Sequence, residues 1–398
     1  MEEERFLGSK SGEPLAFNFT DEDSHAAKIR VVGVGGAGGN AINRMIEENL
    51  KGVDFIAINT DLQALEMNKA AHRIQIGKNL TKGLGAGGDP EVGRKAIEEN
   101  KDAVIDILSD TDMVFITCGM GGGTGTGAAP VVSEIAKDLG ALTVGIVTTP
   151  FVFEGPKRSE KAQIGIKELK ENVDTLIVVP NQKLITLVPK DMPIDEAFRV
   201  ADEILMHATK GISDVINIPG LINLDFADVR TVMSNMGDAL MGSGIASGEN
   251  RATEAAEHAI TSSLIDNASI AGAKGVLVNI TGGKDLTLSD INEATTVIYN
   301  AAGPDANIIF GAVIDPSMNG DIRVTVIATG FNHNGFGSIK SGLRDYHRIG
   351  TEDSPLFEKW ENEPLEQTLG DIFGNDGGLS FVSKDDLNIP AYIRKQRE

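Results

Sequence analysis

Apolar positions recur with two periods along this chain, and the switches between them mark out most of its elements. Short, nearly continuous apolar runs at residues 28–34, 55–59, 113–118, 142–147 and 175–179 read as buried strands. Between them, residues 41–48, 90–108 and 128–139 space their apolar side chains as amphipathic helices do. This alternation predicts an α/β fold with a mostly parallel, doubly wound sheet covered by helices on both faces.

A longer helical pattern runs from 193 to 218, with Ile194, Ala197, Val200, Ala201, Ile204, Leu205 and Ala208 as its apolar positions. It predicts a helix joining two domains. Beyond it, strands near 274–280, 307–314 and 322–328 alternate with helices near 251–264 and 289–301, the pattern of a second, smaller α/β unit. Periodicity then stops. Residues 332–386 are rich in Gly, Asp, Glu and Ser, hold the lone Trp360, and read as a flexible acidic linker that buries too little surface to order itself. The expected organisation is an acidic extension (1–27), a first domain (28–192), a central helix (193–218), a second domain (219–331), the linker (332–386) and a tail peptide (387–398).

Composition narrows the function. A formal net charge of −22 excludes a broad nucleic-acid footprint and opposes an anionic membrane surface. Cys118 is the one cysteine, so no disulfide framework is available, and the six histidines form no HExxH or zinc-ligand spacing; no protein metal site is expected. No run of about 18 apolar residues occurs, and the acidic N-terminus lacks the signature of a signal peptide. A cytoplasmic protein without direct membrane insertion is expected.

Two glycine loops carry the candidate chemistry. Gly33, Gly35 and Gly38 match the dinucleotide fingerprint, with Asp54 or Asp61 as the acidic follower, which keeps an NAD-dependent oxidoreductase open. The second loop, residues 119–127, has six glycines in nine positions between a strand and a helix. Each glycine costs backbone entropy on folding, and close approach of a polyphosphate explains that expense. No GxxxxGK[ST] is present, so a Walker lysine does not hold the phosphates.

The GGGTGTG of residues 121–127 resembles the tubulin-superfamily signature. With GGAGGNAINRM at 35–45, GLGAGGDPEVGRKA at 83–96 and FEGPKRSEKA at 153–162, residues 28–331 are similar to the FtsZ family, the bacterial cell-division branch. The resemblance implies that Gly36, Ala37, Gly38, Gly39 and Asn40 meet the phosphates of GTP or GDP together with Gly121, Gly122, Gly123, Thr124, Gly125 and Thr126. It places Glu154 and Arg158 at the sugar, although four-residue spacing also suits a solvated ion pair. Phe198 and Asp202, four apart on the long helix, suit a guanine base by stacking and by accepting its two N–H groups, with Asn181 as a further contact; plain helix packing is the alternative for Phe198.

In LINLDFADVRTVM, Asp225 and Asp228 stand where the family activates water, helped by Asn223; by position alone they are also ordinary charges at a helix start. The resemblance further implies Mg²⁺ with the nucleotide, GTP hydrolysis completed by the next subunit in a head-to-tail homopolymer, and a ring at the mid-cell division site beneath the inner membrane. LNIPAYIRKQRE at 387–398 is similar to the tail peptide that binds tethers such as FtsA or ZipA. A nucleotide-binding scaffold that does not hydrolyse is the remaining alternative.

Overall fold

The computed structural model describes residues 27–331, apart from 186, 187, 190, 219 and 263–268. The expected linker and tail peptide, and all but Ala27 of the acidic extension, lie outside the described residues.

The chain opens with β1 (Ile29–Val34), α1 (Gly35–Glu47), β2 (Val53–Asn59), α2 (Leu62–Glu66), β3 (His72–Gln75) and α3 (Lys78–Thr81). Helices α4 (Pro90–Glu98) and α5 (Lys101–Leu108) lead to β4 (Met113–Gly119), α6 (Thr124–Asp138) and β5 (Leu142–Thr149). Then come α7 (Pro156–Asn172), β6 (Thr175–Pro180), the short α8 (Asn181–Leu184) and the 24-residue α9 (Ile194–Asn217). The second half holds α10 (Phe226–Met233), β7 (Gly237–Ser247), α11 (Arg251–Ile260), β8 (Gly275–Gly282), α12 (Leu288–Ala302), β9 (Asn307–Ile314) and β10 (Asp321–Thr329).

The strands join in the order β3-β2-β1-β4-β5-β6-β7-β10-β8-β9. Every pairing from β3 to β6 is parallel. Strand β6 continues into the second half through a short parallel pairing of Thr175–Ile177 with β7, and β10 runs antiparallel to both β7 and β8. The parallel half is thus complemented by a mixed C-terminal half.

Side-chain alternation explains why both faces are covered. Val31 and Phe115 point to the face packed by Ile42 and Met45 of α1 and by Leu205 and Ile212 of α9. Val32, Val114 and Ile116 point to the other face, against Ile97 of α4, Val104 of α5, Val132 of α6 and Leu169 of α7. A third cluster joins Val278, Val324 and Val326 to Ala255 of α11 and Ile298 of α12. Each fully buried side chain of this size contributes about 1.5–3 kcal/mol.

Two expectations need correction. Residues 90–108 form two helices, because Asn100 turns the chain and its Oδ1 accepts from the Gly77 N–H at 3.0 Å. Both glycine loops are also shorter than expected, since α1 begins at Gly35 and α6 at Thr124.

Candidate nucleotide site

Strands β1 and β4 are neighbours, and each feeds a helix at its carboxyl end. The helices begin inside the glycine runs because bare backbone lets them pack against the strands. A Cβ on Gly38 would strike the Thr117 carbonyl, and one on Gly125 would lie 2.9 Å from the Gly119 oxygen. The two runs touch: a Cβ on Gly35 would stand 2.9 Å from the Gly125 nitrogen. Neither α1 nor α6 has a side-chain hydrogen bond at its N-cap. Two positive helix ends therefore present backbone N–H groups side by side, a ready site for a polyphosphate.

Gly36 and Gly122 separate packing from binding. A Cβ on either would meet nothing within 4 Å, so protein packing does not require glycine there. Gly36, Ala37 and Asn40 are exposed, Gly39 and Gly122 are half-buried, and Gly38, Gly121, Gly123, Thr124, Gly125 and Thr126 are buried. The Thr124 hydroxyl bonds the Thr60 hydroxyl at 2.6 Å, and Thr126 Oγ1 accepts from the Gly121 N–H at 2.9 Å, holding the second run closed. These residues fit a phosphate chain.

Beyond β5 the backbone makes a single 3-10 turn. Glu154 accepts from the Phe151 N–H at 2.8 Å and forms an ion pair with Arg158. Phe151 stacks on Phe153 with ring centroids 5.1 Å apart and meets Phe198 of α9 edge-on at 5.3 Å. Phe198 is packed on that side yet 40% exposed, which leaves ring surface for a ligand. Asn181 is buried and its Oδ1 has no hydrogen-bond partner. One helical turn from Phe198, burial pushes the Asp202 carboxyl up to about 7, opposed by Arg44 and reinforced by Glu203. The Cys118 thiol, fully buried under the second run, is pushed up to about 12 and is no nucleophile.

Asn223, Asp225 and Asp228 lie elsewhere. Asp225 caps α10, accepting from the Ala227 N–H at 3.3 Å, with Asp228 in the first turn. Asn223 Oδ1 accepts from the Gly220 N–H at 2.6 Å and shapes the approach to the helix. Arg230 of α10 donates to the Gly140 carbonyl at 2.8 Å, just before β5 begins. That is the amino end of the parallel strands, whereas the glycine runs sit at the carboxyl end, since Met113 pairs with Leu142 and Gly119 with Thr148. A seven-residue strand puts about 20 Å between the two ends. Helix α9, about 36 Å long, runs between the same two ends: it spans about 28 Å from Phe198 to Asn217, whose Nδ2 donates to Gly52 O at 2.6 Å just before β2. A cleft of about 300 Å³ opens beside Asp228, lined also by Ile222, Leu224 and Phe310.

Neither acidic follower of the dinucleotide fingerprint is in position. Asp54 lies at the amino end of β2, 4.0 Å from Arg30 Nε, and Asp61 is spent capping α2 through the Gln63 and Ala64 N–H groups. Among the described residues no cluster of three or more His, Cys, Asp or Glu side chains is placed to hold a metal ion, and no helix is long and apolar enough to cross a membrane. Arg44, Thr60 and Phe151 adjoin the candidate residues, through Glu203, Thr124, and Glu154 with Phe198 respectively, and were not singled out in the sequence. Arg44 stands four residues after Asn40 on α1, and that helical spacing was the available signal.

A doubly wound parallel sheet with two glycine-started helices, linked by a long helix to a mixed C-terminal sheet, defines a nucleotide-binding protein of the tubulin/FtsZ class. Residues 28–189 match the Tubulin/FtsZ family GTPase domain, and residues 237–332 match the FtsZ family C-terminal domain. The solved structure of an empty FtsZ dimer from M. jannaschii is 50% identical, with a TM-score of 0.74, and the match covers 76% of this chain and 88% of that one. The chain belongs to the FtsZ family. A GTPγS-bound protofilament of CetZ2 from Haloferax volcanii shares the fold at 19% identity and a TM-score of 0.67, covering 81% of this chain and 100% of that one. A GDP-bound CetZ1 monomer from the same organism does so at 21% identity and a TM-score of 0.69, again covering 81% and 100%. Family membership also sets the dehydrogenase reading aside.

Proposed function

We propose that this protein binds GTP, polymerises head to tail and hydrolyses GTP to GDP and phosphate at each junction between subunits, building the filaments of a division ring. The observation that carries this reading is the placement of the acidic segment at the far end of the sheet from the glycine runs. A catalytic pair about 20 Å from its own nucleotide acts on a neighbour's.

In this mechanism the α1 and α6 N-termini hold the phosphates through Gly36–Asn40 and Gly121–Thr126, stabilising charge that grows on the transferred group. Glu154 and Arg158 border the sugar, Phe198 stacks on the base, and Asp202 and Asn181 read its edge. Among the described residues no cluster of three or more His, Cys, Asp or Glu would hold Mg²⁺ by itself, so a bound ion would rely chiefly on the nucleotide's phosphates and water and would supply neutralisation of phosphate charge. Asp225 and Asp228 of the next subunit, aided by Asn223, orient a water in line with the γ-phosphate, and the Asp pair accepts its proton.

Exposed apolar residues support end-to-end stacking. Met67, Leu84, Val152 and Phe153 crowd the glycine end and are at least half exposed, while Leu221 is 61% exposed at the acidic end. Two different faces joined in this way give a heterologous contact that propagates into a filament. The assembly is cytoplasmic, at mid-cell beneath the inner membrane, and residues 387–398 dock to tethers of the FtsA or ZipA type. The test is GTP hydrolysis per subunit against protein concentration with Mg²⁺, followed by light scattering. Both switch on above one threshold if the site is shared; constant specific activity on dilution contradicts it, and binding without turnover leaves a scaffold.

A further inference from the structure

Arg44 is not among the residues that meet the nucleotide in the reading above, yet it lies between the two helices that do. It projects from α1, the helix that starts at the first glycine run, and its Nη2 contacts Glu203 Oε1 of α9 at 2.6 Å. The same guanidinium reaches Glu48 at 3.4 Å and Glu47 at 3.7 Å, while its buried Nε has no partner. Glu203 directly follows Asp202.

The charges around Asp202 are unequal. From α1 come Arg44, Glu47 and Glu48, with Lys69 bonded to Glu47 at 2.8 Å; from α9 come Glu203 and Arg199; α8 carries Lys183 and the neutral Asn181. Arg44 favours the Asp202 carboxylate, whereas burial and Glu203 disfavour it. A protonated Asp202 has lost one acceptor and placed a donor against the guanine N–H groups.

We propose that Arg44 is a positioning residue for base recognition: by pairing with Glu203 it offsets that residue's negative charge and raises the share of Asp202 in the charged form that accepts from guanine, and so ties base selectivity to the phosphate-binding helix. The proposal rests on the guanine site assigned above.

Two neighbours act in opposite directions, which gives a test that a merely structural role does not pass. Dissociation constants of the full-length chain for GDP and IDP are measured from about pH 5.5 to pH 8.5. Hypoxanthine keeps the N1–H but lacks the 2-amino group, and both ligands share the phosphate titration, so the ratio of the two constants isolates the base edge. In the unsubstituted chain the preference for GDP falls as pH drops through the Asp202 range near 7.

Arg44→Gln moves the midpoint of that fall up by about half a pH unit, lowering the preference at pH 7 roughly twofold. Glu203→Gln moves it down, and Arg44→Lys restores most of the original profile. Circular dichroism checks that each variant is folded. The proposal is overturned by a midpoint that neither substitution moves, or that both move in the same direction. A chain that binds ADP as tightly as GDP overturns the guanine site itself.

Discussion

The phosphate cradle and the acidic segment make an instructive pair. The cradle is built from backbone on two helices clamped to the middle of a parallel sheet, and several of its glycines are demanded by packing alone. The acidic segment is built from side chains on an exposed loop and helix start, and its groups already have local work in Asp225's cap and Asn223's turn. A site of preorganised dipoles belongs where strands hold it rigid. A site that completes itself only on contact with a second copy belongs on a surface. In the proposed function the two regions divide binding from turnover within one chain.

Breaking the cradle alone has the largest effect. Gly122→Val adds a side chain where the protein leaves room, so the melting temperature holds while GTP affinity falls roughly hundredfold, about 2.7 kcal/mol; calorimetric titration beside a thermal melt reads both. Gly38→Val is the contrast, because its side chain meets the Thr117 carbonyl and costs folding stability itself. Breaking the other region separates the functions the opposite way. Asp228→Ala leaves GTP binding to the monomer unchanged and lowers turnover roughly a hundredfold or more, read as phosphate release.

Within the binding half, Asp202→Asn separates the base from the phosphates. Losing a charged acceptor costs guanine affinity about 1.5–3 kcal/mol and erodes the preference for GTP over ITP, measured by competition. The smallest expected effect on function falls on α9, the helix that joins the two regions. Burial pushes the Asp214 carboxyl up to about 6, and its Oδ1 is buried without a partner. A carboxyl raised in the folded state contributes stability that is full below its unfolded value near 4 and lost as pH rises through about 6. Asp214→Asn therefore raises the melting temperature above pH 7, by about 2–3 kcal/mol of stability, and the gain vanishes toward pH 4.

Legibility in the sequence followed physical cause. The buried parallel strands and α9 stood out because apolar runs and long 3.6-residue periods leave strong patterns. Strand β3 did not, since His72 and Arg73 are exposed and it is four residues long. Strand β7 was missed because GDALMGSGIAS is poor in β-branched residues and is held by its neighbours β6 and β10. Helix α7 was not read as a helix, as charged side chains dominate PKRSEKAQIGIKELKEN.

At the site, both glycine runs were plain, but which glycines serve packing and which leave room for a ligand needed coordinates. Glu154 and Arg158 do form an ion pair, yet the Phe151 contact that Glu154 also makes was not visible in their spacing. The separation of Asp225 and Asp228 from the glycine runs depends on which end of each strand they occupy, and spacing along the chain does not encode that.

If one subunit's glycine runs meet another's acids, mixing two inactive variants restores a working junction. Gly122→Val lacks a working cradle and Asp228→Ala lacks a working acid pair, but a junction between them holds one intact copy of each. Hydrolysis reappears on mixing if the site is shared. If the two variants sediment in the same filaments and no phosphate is released, the acids do not complete a neighbour's site and the account is wrong.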